Sequence, residues 1–193
     1  MSAPLIRIDR LSPVELSAAR LDGDVFELGG GFMPADAPEC SSLRAATLAS
    51  AYGSGLVAVG LSAAWVHGAV PGEPLPHLAQ PLPGVRARGR RHIIGLRVRD
   101  RPIEQGEAVR VGGLWVLTPE RTLGDIALAL AAAETPSRGR RLASRADRGD
   151  LAAAYAALSS DAARVAAAIR WLEDRTMSNK RGALRALRQV RPT

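Results

Sequence analysis

Three histidines (His67, His77 and His92), one cysteine (Cys40) and one lysine (Lys180) are the side chains best suited to metal, base or covalent chemistry, and they are scattered. No HExxH pair, no two-cysteine pattern and no glycine-rich loop ending in Lys-Ser/Thr occurs, so metal hydrolysis and ATP chemistry lose support. A single cysteine allows neither an internal disulfide nor a cysteine-based zinc site. His67 follows Trp65 by two residues, a spacing that points the two side chains apart on a helix, and with no second ligand beside it His67 reads as a hydrogen-bonded structural histidine.

Gly53-Ser54-Gly55 before an apolar run is faintly similar to the Gly-Ser of nucleotidyltransferases, but the pair of metal-binding carboxylates such enzymes need does not follow. A nuclease built on clustered Asp, Glu and Lys is equally unsupported, since the only lysine is Lys180. The residues therefore favour a protein that is not an enzyme and takes no cofactor, metal or small-molecule substrate.

Arginine is abundant instead. Between Arg86 and Arg101 there are seven arginines against the single Asp100. Arg86, Arg88, Arg90 and Arg91 fall in a glycine-bearing loop, and Arg97 and Arg99 alternate with Leu96 and Val98 on an expected strand from Ile93 to Arg99. Such a patch is either a solvated face or a phosphate-contacting one. No Tyr, Trp or Phe interleaves with it, which removes a platform for single-stranded bases and leaves duplex backbone, structured RNA or an acidic protein surface. A second set, Arg181, Arg185 and Arg188, shares one side of the last helix, opposite Ala183, Leu187 and Val190. Arg7, Arg10 and Arg20 form a weaker set near the N-terminus.

The net charge of +7 is unevenly spread. Residues 1–40 hold three basic and seven acidic side chains, whereas the remainder holds 23 against 12. An acidic segment joined to a basic body favours polyanion binding by the body, internal attraction, or both.

The elements that must position these residues are clearest from Val111 to Leu130. Gly112-Gly113 suits a tight hairpin turn, Leu114–Leu117 a short strand, Thr118 a helix cap and Pro119 the first helical position. Leu123, Ile126, Ala127 and Leu130 give that helix one apolar face, with Arg121 and Asp125 expected on the opposite side. Arg121 stands in the first turn, against the macrodipole, and precedes its Asp, the weaker order for a helical pair. Helix stability does not explain it; bracing of a neighbouring loop or strand does so better than a ligand or catalytic role.

Ser12-Pro13-Val14-Glu15 is a capping box and predicts a helix over Pro13–Leu21, ended by Asp22-Gly23. A hairpin follows, with strand residues Asp24–Leu28, a turn at Gly29-Gly30-Gly31 and a return at Phe32-Met33. Helix then hairpin is the order of a winged helix, here truncated, either as a DNA reader or as a docking element. Further on, Ser41-Ser42 caps a helix over Leu43–Tyr52, Leu56–Val59 is an apolar run, and Ser62 starts a helix over Ala63–Gly68. The prolines from Pro71 to Pro83 mark an internal joint with room only for an edge strand at His77–Gln80. Pro136–Gly139 makes a turn, Asp161–Glu173 forms a helix burying Val165, Ala168, Ile169 and Leu172, and Ser178 or Asn179 caps the last one.

No apolar run reaches the roughly 20 residues of a membrane span, and MSAPLIRIDRLSP lacks a signal peptide's long apolar segment, so a cytoplasmic protein is expected. The fold class read from these elements is α+β. A degenerate winged-helix-like element (1–40) precedes a mixed domain (41–193) with a small antiparallel sheet and a helical C-terminal part.

With those residues in view, the chain resembles the AbiEi-like antitoxins of bacterial type IV toxin–antitoxin pairs. Gly113–Ala127, GLWVLTPERTLGDIA, is similar to that family's strand, Thr-Pro-x-Arg-Thr and helix with a following Asp. Leu61–Gly68, LSAAWVHG, is similar to its Ser-Ala-Ala and His-Gly segment, and Gly23–Pro34 to its wing. The resemblance implies a winged-helix DNA-binding front, Pro13–Leu21 as its recognition helix, and a C-terminal antitoxin domain. It also implies an autorepressor of duplex DNA, with a nucleotidyltransferase-type toxin as genetic partner and no cofactor. Thr118, Arg121, Thr122 and Asp125 would be the family's framework. Longer members end in a Vsr-like endonuclease domain, and this chain resembles the short form without it. A protein-interaction module holding an acidic partner through its arginines, without DNA binding, is the alternative.

Overall fold

The computed structural model describes residues 12–29, 31–85, 95–99, 101, 103–134 and 145–190. The class is α+β. In the front part, α1 (Pro13–Leu21) starts on the capping box: Ser12 Oγ accepts from Glu15 N, and Glu15 Oε2 accepts from Ser12 N. The hairpin β1 (Val25–Leu28) and β2 (Gly31–Pro34) follows, with Val25 opposite Pro34 and Leu28 opposite Gly31. Leu16, Val25, Met33 and Leu43 are buried apart from the main core, one each from α1, β1, β2 and the next helix, α2 (Ser41–Tyr52).

The body is organised on a five-stranded sheet in the order β5-β4-β3-β7-β6. Its centre, β3 (Leu56–Ala58), is wholly buried, as an apolar run paired on both sides must be. β4 (His77–Pro81) runs antiparallel to β3, and β7 (Leu114–Leu117) runs parallel to it, with Val57 opposite Trp115. β5 (Leu96–Val98) is parallel to β4, and β6 (Ala108–Val111) is antiparallel to β7, so the sheet is mixed. Gly112 and Gly113 turn β6 into β7 with φ of +53° and +86°, the paired positive values a two-residue hairpin favours. A Cβ on Gly112 would lie 2.1 Å from the Ser42 carbonyl oxygen, so this turn is also pressed onto α2.

Helices complete the core: α3 (Gly60–Val66), α4 (Pro119–Glu134), α5 (Arg145–Leu158), α6 (Ala162–Glu173) and α7 (Lys180–Gln189). α4 packs against α3, α5, α6 and α7, which makes it the central helix of the body.

Several local expectations are corrected. His77–Gln80 is not an edge strand: β5 pairs with its outer side. The prolines allow this because Pro74 and Pro76 precede β4 and Pro81 closes it, leaving the intervening N–H groups available. α3 starts at Gly60 rather than after Ser62, because the Ser62 hydroxyl accepts from Leu78 N on β4 instead of capping a helix. Ser41 and Ser42 lie within α2, whose N-cap position is Cys40 and has no side-chain cap bond. Asn179 holds the N-cap position of α7 in a left-handed conformation, again without a side-chain cap bond. The Pro136–Gly139 turn lies outside the described residues.

Candidate functional site

The framework residues converge where β7 enters α4. Thr118 Oγ1 accepts from Arg121 N at 3.4 Å and caps the helix, while Thr118 N donates to the Glu107 carbonyl at 2.9 Å. The Leu117 carbonyl gathers two side chains, His67 Nε2 at 2.7 Å and the Thr122 hydroxyl at 3.4 Å. LSAAWVHG and LTPERT, separate in sequence, therefore meet at one carbonyl oxygen. His67 donates to an acceptor that fixes its tautomer; burial holds its pKa below the ordinary histidine value, while the Leu117 hydrogen bond acts in the opposite sense. It is a structural histidine.

Arg121 corrects the expectation most sharply. It is not on an outer face but 3% exposed, because α4 is covered by helices on more than its apolar side. Its Nη1 lies 2.5 Å from Asp125 Oδ1, and its Nε lies 3.5 Å from Glu107 Oε2, a charge contact too skewed for a hydrogen bond. The guanidinium stacks 3.7 Å from the centroid of the Trp171 ring on α6, a desolvated arrangement worth about 2 kcal/mol. Glu107 Oε1 accepts in turn from Trp171 Nε1 at 2.5 Å and from Arg175 Nη2 at 2.7 Å. One buried cluster thus joins the approach to β6, the start of α4 and the end of α6. Arg121 braces it, and its cover by Trp171 leaves it no route to a ligand.

Glu107, Trp171 and Arg175 are not found from the local pattern of the helix, since Glu107 lies 14 residues earlier, ahead of β6, and Trp171 and Arg175 lie 50 and 54 residues later. Gly124 was the one local signal: a glycine in mid-helix marks a close approach, and its missing Cβ would lie 2.7 Å from Trp171 Cε3.

The arginines proposed for polyanion contact separate into groups. Arg7, Arg10, Arg86, Arg88, Arg90 and Arg91 lie outside the described residues, as does His92. Arg97 and Arg99 are exposed at the β5 edge, with Leu96 buried between sheet and core. Arg20 lies 3.6 Å from Glu27, and Arg188 lies 2.6 Å from Glu173, so both have surface carboxylates beside them. Arg181 and Arg185 are exposed with no partner among the described residues. His77 Nε2 lies 2.8 Å from Glu73 Oε1, and no group of three metal-ligating side chains occurs among the described residues. No described helix is long and apolar enough to cross a membrane. No family model matches the chain, and no curated protein matches it.

Proposed function

We propose that this chain is a non-catalytic, DNA-binding transcriptional autoregulator, the antitoxin half of a toxin–antitoxin pair whose genetic partner is a nucleotidyltransferase-type toxin. The observation that carries polyanion binding is the distribution of ion pairs. Glu107 and Asp125 are drawn into the buried cluster, whereas Arg97, Arg181 and Arg185 stand in solvent without a carboxylate among the described residues. Exposed arginines without a carboxylate partner attract a phosphate backbone.

The order of elements in the front part supports duplex DNA as the polyanion, with the phosphate contacts supplied by the basic body because residues 1–40 are net acidic. α1 and the β1–β2 hairpin stand side by side in the order of a recognition helix and wing, and much of α1 is exposed. The antitoxin role rests on the resemblance of the TPERT and SAAWVHG segments. A non-catalytic role is supported by the use already made of the reactive side chains: His67 holds a carbonyl, His77 faces Glu73, and Arg121 is enclosed.

The test is binding of the purified chain to duplex DNA from upstream of its own coding sequence and to a scrambled duplex of equal length. Both are measured at two salt concentrations, with a variant carrying Arg86, Arg88, Arg90 and Arg91 as alanine alongside. Preference for the upstream duplex, weakened by salt and lost in the variant, is the expected result. No preference between the duplexes at either salt overturns the autoregulator and leaves an antitoxin that binds protein or RNA.

A further inference from the structure

We infer that the cleft between the α6–α7 connection and the last turn of α4 is an oxyanion site that takes phosphate groups. Its volume is about 480 Å³, and it is lined by Ala131 of α4, Arg175 of the connection, and Asn179, Lys180, Arg181 and Arg185 at the start of α7, among others. Four of these are basic, and no Asp or Glu lines the cleft among the described residues. Arg175 is neutralised by Glu104 and Glu107, but the other three cations are not. Lys180 Nζ donates to the backbone carbonyls of Glu173 and Arg175, both at 2.8 Å, which place the ammonium without cancelling its charge. Arg181 and Arg185 have no partner among the described residues.

These charges oppose the helix that carries them. Lys180 and Arg181 occupy the first turn of α7, where positive charge meets the positive end of the macrodipole. Arg181 and Arg185 are one turn apart, a like-charged pair that repels. An anion in the cleft reverses the sign of both effects. α7 is seated directly on α4 beside the cleft: a Cβ on Gly182 would lie 2.9 Å from Ala131 Cβ.

Among the described residues no Tyr, Trp or Phe lines the cleft, so it recognises the phosphate rather than a base. That phosphate can belong to a nucleic-acid backbone or to a free pyrophosphate-like ion. The inference deepens the polyanion-binding reading, which rests in part on the same Arg181 and Arg185, but it does not require that the chain read an operator.

The full chain is melted with and without sodium pyrophosphate, against sodium chloride of matched ionic strength, beside an R181A/R185A variant. Pyrophosphate at a hundredfold excess over its dissociation constant is expected to raise the wild-type melting temperature by about 5–10 °C. In the variant the ligand-free melting temperature is expected to be equal or higher, and pyrophosphate affinity by calorimetry to fall at least about tenfold. A random-sequence duplex is then added to the pyrophosphate complex. Displacement identifies the site as a backbone contact and lack of displacement as a free-phosphate site, and either upholds the cleft. No wild-type shift beyond the chloride control, or an undiminished shift in the variant, overturns it. Absence of operator preference leaves this result untouched, so the two readings fail separately.

Discussion

Glu104 and Glu107 hold the same guanidinium at nearly the same distance, Arg175 Nη2 lying 2.5 Å from one and 2.7 Å from the other. Their surroundings differ: the Glu104 side chain is 67% exposed and that of Glu107 is 10% exposed. Glu107→Gln keeps the shape and an acceptor for Trp171 Nε1 while removing the charge. Arg121 would then rely on Asp125 alone, a carboxylate that Arg101 also approaches to 3.7 Å. Stranding one member of a buried pair costs roughly 3–5 kcal/mol. Because Asp125 stays in place, a loss of about 2–3 kcal/mol is expected from Glu107→Gln. For a chain of this length that is a drop of roughly 5–10 °C in melting temperature. Glu104→Gln breaks a solvent-screened contact and is expected to cost no more than about 0.5 kcal/mol. Urea unfolding at pH 7, followed by tryptophan fluorescence, compares the two directly. Equal losses, or a loss at Glu107 below about 0.5 kcal/mol, would refute the view that burial rather than distance sets the strength of this cluster.

Gly124→Ala sets two effects against each other. Helix propensity favours alanine by about 1 kcal/mol, but the added Cβ meets the Trp171 ring, and a net destabilisation of about 1–2 kcal/mol is expected with a red-shifted tryptophan emission; a more stable variant with unchanged emission would show that the ring yields freely. His67 supplies a pH dependence. Burial lowers its folded pKa, so the stability it contributes is complete above the ordinary histidine value of 6.5 and is lost as pH falls from there toward the folded value. Urea midpoints between pH 7.5 and 5 should fall more steeply in the wild type than in His67→Gln, and identical slopes would rule out this ring as the source.

Legibility in the sequence followed the range of the interactions. α1, the β6–β7 turn and the start of α4 rest on contacts within four residues, and their boundaries were readable from Ser12, Gly112-Gly113 and Thr118-Pro119. Arg121 was misplaced because helical periodicity assigns a charged residue to the outside. Its burial depends on Glu107 and Trp171, which only the tertiary fold brings near. Ser62 looked like a cap for the same reason, since the N–H it satisfies belongs to Leu78 on a different strand. The arginines of α7 were legible as a stripe. Their cleft was not, because Lys180, Arg175 and Ala131 join Arg181 only when the α6–α7 connection folds back onto α4.

The parallel pairing of β3 with β7 also sets a timetable for synthesis. β4 can cover one side of Leu56, Val57 and Ala58 early, but the other side waits for Trp115 and Val116, about 60 residues later. At ribosomal rates of 5–20 residues per second that interval is roughly 3–12 s. Throughout it, β3, whose residues are all buried in the finished fold, has an open hydrogen-bonding edge. A chain cut short before Leu114 would lack β7 and leave that edge of β3 without its strand partner.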